Sequence, residues 1–404
     1  MKHIPLVSDT VQVENTEEKE LLPRGNAVSL PHGGLPEIFS TYLRDLIQET
    51  GGPFGPIGLQ FVARPEEKKY FNNAGMDPLS EDHHEVAPGL VYKYRGKLKA
   101  NGEVETYGRA LWTITRFCAS YCRFCTRGRE VGYMGASHIN ENAALAQKAY
   151  LSDQDMDKVE AFLDAHPEVN EIITSGGDPL TTPTPYFTKV IDRLSRRQHE
   201  GKLDIVRIGT RFPIHNPGGL KDWQYEQVGR LKNPYLMVHI NHPAELTPIA
   251  RKVLERFRRE SGATIMSQSV LLKGVNDDAD TLYWLFTTLA AEGIRPYYVF
   301  QNDDVSWAKH FTVDIHKAIK IWQDLRPRLS GVAGTARFVI DIAQGYGKIA
   351  VPEGDAWIVD YEKGLRDFQG THFDLSVVNS PMIETVQVPF KAVEKPNAPK
   401  IALK

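Results

Sequence analysis

Cys118, Cys122 and Cys125 are the only cysteines among the 404 residues, and they lie together in one short segment. Their spacing is Cys-x3-Cys-x2-Cys, with an aromatic residue directly before each one. Three thiolates at this spacing can ligate three irons of a [4Fe–4S] cluster. The fourth iron then has no protein ligand and can bind a small molecule, so the segment predicts a reactive cluster.

Other uses of clustered cysteines fit the sequence less well. A structural zinc ion normally takes four ligands, often from two Cys-x2-Cys pairs, and the sequence has no second pair. Three cysteines also leave one unpaired in any disulfide scheme. A two-electron cysteine nucleophile would not require three neighbouring thiols. The cluster is therefore the favoured interpretation.

Composition is that of a globular protein, with 41% hydrophobic and 25% charged residues and a formal net charge of −3. Nothing in it suggests nucleic-acid binding, since there is no basic excess. The chain also lacks an apolar signal core or a run of about 18 apolar residues that would cross a membrane. We therefore expect a cytoplasmic protein that binds neither membrane nor nucleic acid.

The elements that must position the cysteines follow an alternating pattern typical of parallel βα units. The predicted domains are a flexible arm (1–35), an extension with a helix and a hairpin (36–108), a barrel (109–312) and a C-terminal segment (313–404). Polar residues follow the barrel strands, which in such folds marks the catalytic face. Six units predict an α/β fold with a partial (β/α)6 barrel, open on one side. The predicted barrel strands are 110–115, 169–174, 205–209, 236–240, 263–269 and 296–301. Outside the barrel, the patterns predict helix 35–50, a hairpin over 90–107, strand 337–341 and strand-like runs at 356–361 and 385–389. A largely helical stretch is predicted from about 140 to 166.

Several motifs, in order along residues 55–365, resemble the lysine 2,3-aminomutase family, whose members are radical S-adenosylmethionine (SAM) enzymes. The resemblance rests on Arg116–Arg127, Ser175–Leu180, Ile205–Arg211, Asn241–Thr247, Gln268–Asp277 and Pro296–Tyr298, and on Asp77–Leu79 with Pro88–Leu90 upstream. It implies a [4Fe–4S] cluster, SAM, pyridoxal 5′-phosphate (PLP) and transfer of an amino group from the α to the β carbon of an amino acid. All three cysteines are used by the cluster, so the structural zinc of some members is not expected.

The resemblance also assigns a PLP site. Lys348 matches the family's PLP lysine, and Gly345 and Gly347 just before it allow a flat cofactor to approach closely. Tyr346 interrupts what is otherwise a glycine run. Further PLP contacts of the family match Lys93, Tyr94 and Arg109, with one difference at Lys93 and one requirement at Arg109. Lys93 replaces an arginine and loses its two-pronged phosphate contact, and Arg109 matches only if residues 96–107 are an inserted hairpin.

SAM and substrate contacts are implied in the same way. Ser175, Gly176, Gly177 and Asp178 match the loop that holds SAM, and His239 and Gln268 match strand-end SAM contacts. Arg127 matches the arginine that binds the substrate carboxylate. Asp341, with either Asp303 or Asp304, matches the acidic pair that binds a distal cation.

The sequence therefore predicts an isomerase for a basic amino acid, with L-lysine preferred. Arginine as the substrate, another radical PLP-dependent rearrangement, and a lysine aminomutase that serves lysylation of a translation factor remain open alternatives. We also expect a small electron donor such as flavodoxin or ferredoxin, and a homo-oligomer.

Overall fold

The structure is a computed structural model that describes residues 35–69, 77–131, 150–342, 347–350, 365–366 and 372–373. The strands are β1 Glu85–Ala87, β2 Leu90–Tyr94, β3 Lys97–Leu98, β4 Val104–Thr106, β5 Gly108–Thr115, β6 Val169–Gly176, β7 Ile205–Thr210, β8 Tyr235–His239, β9 Thr264–Leu271, β10 Arg295–Gln301, β11 Arg337–Ile342, β12 Gly347–Ala350, β13 Leu365–Arg366 and β14 His372–Phe373. The helices are α1 Thr41–Glu49, α2 Gly58–Phe61, α3 Glu66–Lys69, α4 Asp153–Ala165, α5 Thr184–His199, α6 Phe212–His215, α7 Asp222–Gly229, α8 Pro248–Glu260, α9 Ala279–Ala291 and α10 Ile315–Leu325.

Ten of the described strands form one open sheet in the order β1-β2-β5-β6-β7-β8-β9-β10-β11-β12. All pairs from β5 to β11 are parallel, whereas β1, β2 and β12 are antiparallel to their neighbours. The six parallel strands β5–β10 are those predicted from sequence, and they confirm the partial (β/α)6 barrel. The strand β11, also predicted, extends the parallel sheet by one.

Helices cover the outer face of the sheet because their apolar faces pack on buried strand residues. Phe187 and Leu194 of α5, Phe257 of α8 and Leu285 of α9 belong to one core cluster with strand residues such as Ile208. Local signals fix where these helices begin. Thr247 caps α8, which has proline at its first position, and Asp278 caps α9.

Sequence reasoning located most elements but not all. The predicted helix 35–50 is observed as α1, and the helical stretch predicted for 140–166 is observed from Asp153 as α4. The helix α7 had no counterpart among the predictions; its eight residues are too short for a clear periodic pattern. The predicted N-terminal arm up to residue 34, the strand-like runs 356–361 and 385–389 and the C-terminal tail lie outside the described residues.

The predicted hairpin between residues 90 and 107 is built in two parts. Its distal part pairs β3 with β4, and the turn contains Gly102 with a φ of 84°. Its proximal part is β2, which pairs with β5 so that Tyr94 is opposite Arg109. The distal hairpin is thus a two-stranded sheet separate from the main sheet. That residues 96–107 are an insertion relative to the family, as the Arg109 match requires, stays a prediction.

Candidate active site

A cavity of about 340 Å³ lies within the barrel and at the carboxyl ends of its strands. Nearly all candidate residues from the sequence line it. These are Lys93, Tyr94, Arg109, Cys118, Cys122, Cys125, Arg127, Ser175, Gly176, Gly177, Asp178, His239, Gln268, Asp303 and Asp341. Asp304 does not line it. The side chain of Lys348 lies outside the described residues.

The cysteine loop begins directly after β5 and is fixed by backbone contacts. The amide of Cys125 donates to the carbonyl of Cys122 at 3.1 Å, and the indole Nε1 of Trp307 donates to the carbonyl of Cys125 at 3.2 Å. A side chain on Gly128 would come within 2.4 Å of the Trp307 ring, so only glycine allows this close packing. The loop is therefore packed against the buried Trp307 ring.

The thiols suit a cluster. Burial raises the pKa of Cys118 well above its ordinary value and that of Cys125 to about 12. All three cysteines are half-buried, and thiolates partly removed from water are stabilised by a compensating cation such as iron. Among the residues that the structure describes, no three His, Cys, Asp or Glu side chains are grouped around one point as a single metal ion needs. In a cluster each thiolate ligates its own iron, so Cys118, Cys122 and Cys125 would hold three irons.

The Ser-Gly-Gly-Asp segment at the end of β6 lies against the cysteine loop. The amides of Gly177 and Asp178 donate to the carbonyls of Thr115 and Phe117, both at 2.7 Å. A Cβ atom on Gly176 would lie 2.1 Å from the Thr115 carbonyl oxygen, and one on Gly177 would lie 2.0 Å from that of Phe117. Two glycines are therefore needed to join the cysteine loop to this turn.

Asp178 lines the cavity and also ties two strand ends together. Its carboxylate accepts hydrogen bonds from the Thr210 hydroxyl at 2.7 Å, from the amides of Arg211 and Phe212 at 2.7 and 2.9 Å, and from the amide of Leu180 at 3.1 Å. Burial raises its pKa despite these donors. In this structure Asp178 therefore fixes the loop after β6 to the loop after β7.

The predicted PLP contacts on β2 and β5 lie side by side. The guanidinium of Arg109 stacks over the Tyr94 ring at 3.9 Å from its centre, which orients the arginine by a cation–π contact. Lys93 reaches the carbonyl of Leu79 with its Nζ at 3.2 Å. Register also places Lys348 of β12 opposite Asp341 of β11. The residues assigned to PLP are thus distributed over both ends of the sheet.

Arg127 has a partner that the sequence did not reveal. Its Nε and Nη2 donate to the two carboxylate oxygens of Glu81, both at 2.7 Å, and its Nη1 donates to the Ser175 hydroxyl at 3.0 Å. Burial opposes the charge of Arg127, but Glu81 outweighs this and raises the arginine pKa. The guanidinium is thereby held at the cavity wall with a fixed orientation.

The sequence left open whether Asp303 or Asp304 forms the acidic pair with Asp341, and the structure places the two side chains differently. Asp303 lines the cavity, as does Asp341 from β11. Asp304 instead forms an ion pair with Lys309 at 3.4 Å, and its side chain is 38% exposed. Of the two candidates, Asp303 is therefore the one placed to meet a ligand in the cavity.

His239 and Gln268 are register partners on β8 and β9, and both line the cavity. Burial, with a smaller effect from Arg211, lowers the pKa of His239 to about 3, so the ring is neutral. Its Nε2 lies 3.0 Å from the Asn241 side-chain oxygen, and its ring packs 5.3 Å from that of Phe124. His239 therefore offers a neutral, oriented imidazole.

Two charged residues at the site, Glu81 and Arg211, were missed as functional candidates. Both lie inside or beside motifs that carried the family resemblance, Glu81 two residues after Leu79 and Arg211 at the end of Ile205–Arg211. Their role depends on partners 46 and 89 positions away, respectively. Local sequence carries no signal for such pairings.

Comparison with known proteins identifies relatives of the chain by sequence. No family model matches the chain. The L-lysine 2,3-aminomutase of Fusobacterium nucleatum is 31% identical over 316 residues, which cover 78% of this chain and 67% of the relative. That of Methanococcus maripaludis is 28% identical over 357 residues, covering 88% and 74%, and that of Clostridium subterminale is 30% identical over 295 residues, covering 73% and 64%.

Solved structures resemble it more distantly. A Streptococcus suis SuiB structure bound to S-adenosylmethionine has a TM-score of 0.40 at 14% identity, covering 60% of this chain and 52% of that one. A radical SAM methyltransferase from Sphaerobacter thermophilus has a TM-score of 0.40 at 17% identity, covering 62% and 77%. The fold itself is established by the strand order described above.

An open parallel sheet whose first strand leads into a Cys-x3-Cys-x2-Cys loop defines a radical SAM enzyme, with a [4Fe–4S] cluster and SAM implied. Within that class, the relatives found by sequence identify the family. The chain belongs to the lysine 2,3-aminomutase family and is an isomerase. None of the described helices is long and apolar enough to span a membrane.

Proposed function

We propose that this enzyme is a PLP-dependent 2,3-aminomutase whose substrate is a basic amino acid, L-lysine. The observation that carries the proposal is the charge distribution in the cavity. Arg127 lines the same cavity as the carboxylates of Asp303 and Asp341 and the three cysteines. A ligand that carries both a carboxylate and a distal cation matches these two opposite charges.

Each end of such a substrate has a suitable partner. Arginine binds carboxylates through paired N–H donors, and Glu81 and Ser175 already hold Arg127 in place. Asp303 and Asp341 would bind the distal ammonium by charge-assisted hydrogen bonds. An amino acid without that cation would lack these charge-assisted hydrogen bonds and would bind less tightly.

The cofactors would be divided among the remaining wall residues. When bound, the cluster with SAM supplies a carbon radical, and PLP supplies a π system that makes amino-group migration feasible. Lys348 would hold PLP covalently, while Lys93 and Arg109 would bind its phosphate and Tyr94 would orient Arg109. Ser175, Gly176, Gly177, His239 and Gln268 would orient SAM beside the cysteines.

The test is product analysis under strict exclusion of oxygen. Protein reconstituted with iron, sulfide and PLP is incubated with SAM, dithionite and one of L-lysine, L-arginine, L-glutamate or L-alanine. Because an isomerase does not change mass, β-amino products are separated from α-amino acids by chromatography and identified by ¹⁵N NMR. The Cys122→Ala variant serves as the inactive control.

We expect β-lysine from L-lysine and little product from glutamate or alanine. If arginine is turned over better than lysine, Asp303 and Asp341 remain the proposed cation site, and arginine replaces lysine as the proposed substrate. Better turnover of glutamate or alanine than of both basic amino acids would refute the proposal.

A further inference from the structure

Arg211 lies in direct contact with a cluster cysteine. Its Nη1 is 2.8 Å from the sulfur of Cys122, and the residue is only 5% exposed. Arg211 directly follows β7, and its backbone amide is fixed by Asp178 at 2.7 Å. Its guanidinium also lies against the Phe61 ring, 4.4 Å from the ring centre. The contact to sulfur is therefore built into the fold.

Two buried polar side chains, those of Gln60 and Glu245, orient this guanidinium. Its Nη2 donates to Glu245 Oε1 at 3.0 Å and to the side-chain oxygen of Gln60. Gln60 in turn donates to the same Glu245 oxygen at 2.7 Å, and Glu245 is only 1% exposed. Arginine cannot lose its proton in a protein. A permanent cation thus sits between a buried carboxylate and the cysteine sulfur.

This arrangement bears on the energy of adding an electron. Hydrogen bonds to the sulfurs and the net charge nearby set the reduction potential of an iron–sulfur cluster. Reduction adds one negative charge to a site that already has three thiolates. A cation in contact with one of those thiolates stabilises the reduced state more than the oxidised state. A nearby carboxylate has the opposite effect.

We propose that Arg211 is a positioning residue that raises the reduction potential of the cluster through its contact with Cys122, and that Glu245 sets how far it does so. This inference rests on the proposed function only in requiring that the cluster assemble on the three cysteines. It gives the buried Gln60–Arg211–Glu245 network a role in electron uptake. A milder one-electron donor would then suffice to reduce the enzyme.

The test is an anaerobic redox titration with dithionite and mediators, followed by the electron paramagnetic resonance signal of the reduced cluster. It is made without SAM, so that effects on SAM binding do not enter. Arg211→Gln should lower the equilibrium constant for reduction about tenfold or more, and each tenfold change in a one-electron couple is about 59 mV. Glu245→Gln should shift the potential in the opposite direction.

Two further variants distinguish the effect of the Arg211 charge on the reduction potential from a general structural effect. Arg211→Lys keeps the positive charge and should retain part of the increase in reduction potential that Arg211 causes. Arg197 is also 5% exposed but pairs with Asp164 on the helical layer, so Arg197→Gln should leave the potential unchanged.

The proposal is overturned if Arg211→Gln binds wild-type amounts of iron with an unchanged or higher potential. It is equally overturned if Glu245→Gln and Arg211→Gln shift the potential in the same direction. If Arg211→Gln fails to fold, the sign of the Glu245→Gln shift decides. A wild-type protein that assembles no cluster would instead refute the proposed function.

Discussion

Replacing Glu81 by Gln should destabilise the protein by about 3 kcal/mol, because it leaves the buried charge of Arg127 without its carboxylate partner. The two side chains are only 10% and 15% exposed and are joined by two hydrogen bonds of 2.7 Å. At an effective dielectric constant near 20, two unit charges about 4 Å apart attract by about 4 kcal/mol. Removing one member of such a buried pair costs about 3–5 kcal/mol.

A double-mutant cycle isolates the pair. Glu81→Gln, Arg127→Gln and the double variant are compared with wild type by urea denaturation of the reconstituted protein under argon. We expect the double variant to be less destabilised than the two single variants summed, with a coupling of about 1–3 kcal/mol. Simple additivity would show that the ion pair contributes no net stability and would refute the reasoning.

The pH dependence of stability and the neighbouring ion pair between Asp82 and Arg129 provide two controls. Burial raises the pKa of Glu81, but Arg127 outweighs this and holds it below the ordinary 4.5. The ion pair therefore stabilises the protein fully above pH 4.5, and this stabilisation is lost as the pH falls through the lowered pKa of Glu81. The difference in the free energy of unfolding between wild type and Glu81→Gln should thus shrink in acid. Asp82, 68% exposed, pairs with Arg129 at 2.7 Å, and Asp82→Asn should cost less than about 1 kcal/mol.

Three further predictions concern ligands. Cys122→Ala should lose the iron content and brown absorbance of the reconstituted cluster, and retention of full SAM cleavage would contradict its assignment. Lys348→Ala should lose the visible absorbance of lysine-bound PLP, whereas borohydride reduction and peptide mapping to another lysine would show that the assignment is wrong. Asp341→Asn should raise the apparent KM for lysine about 10- to 100-fold, since a charge-assisted hydrogen bond contributes about 1.5–3 kcal/mol, while Asp304→Asn should leave it near wild type. Equal effects in the two aspartate variants would contradict the cavity assignment.

Much of the fold was readable from local patterns. Strands β5–β10 are short apolar runs bounded by polar turns, and the long helices α5, α8 and α9 have clear apolar faces or caps. These signals are local, so sequence reports them directly. The helix α7 was missed because eight residues give too few turns for a periodic pattern.

The sequence by itself determined the chemistry that the site offers: three thiols at cluster spacing, a glycine pair and an arginine beside the last cysteine. Only the tertiary structure decided which charges meet. It placed Asp303 in the cavity and Asp304 against Lys309, and it joined residues as distant as Cys122 and Arg211. Residue types and short spacings follow from the chain alone, whereas ion pairs between distant segments depend on how the strand ends converge in the folded sheet.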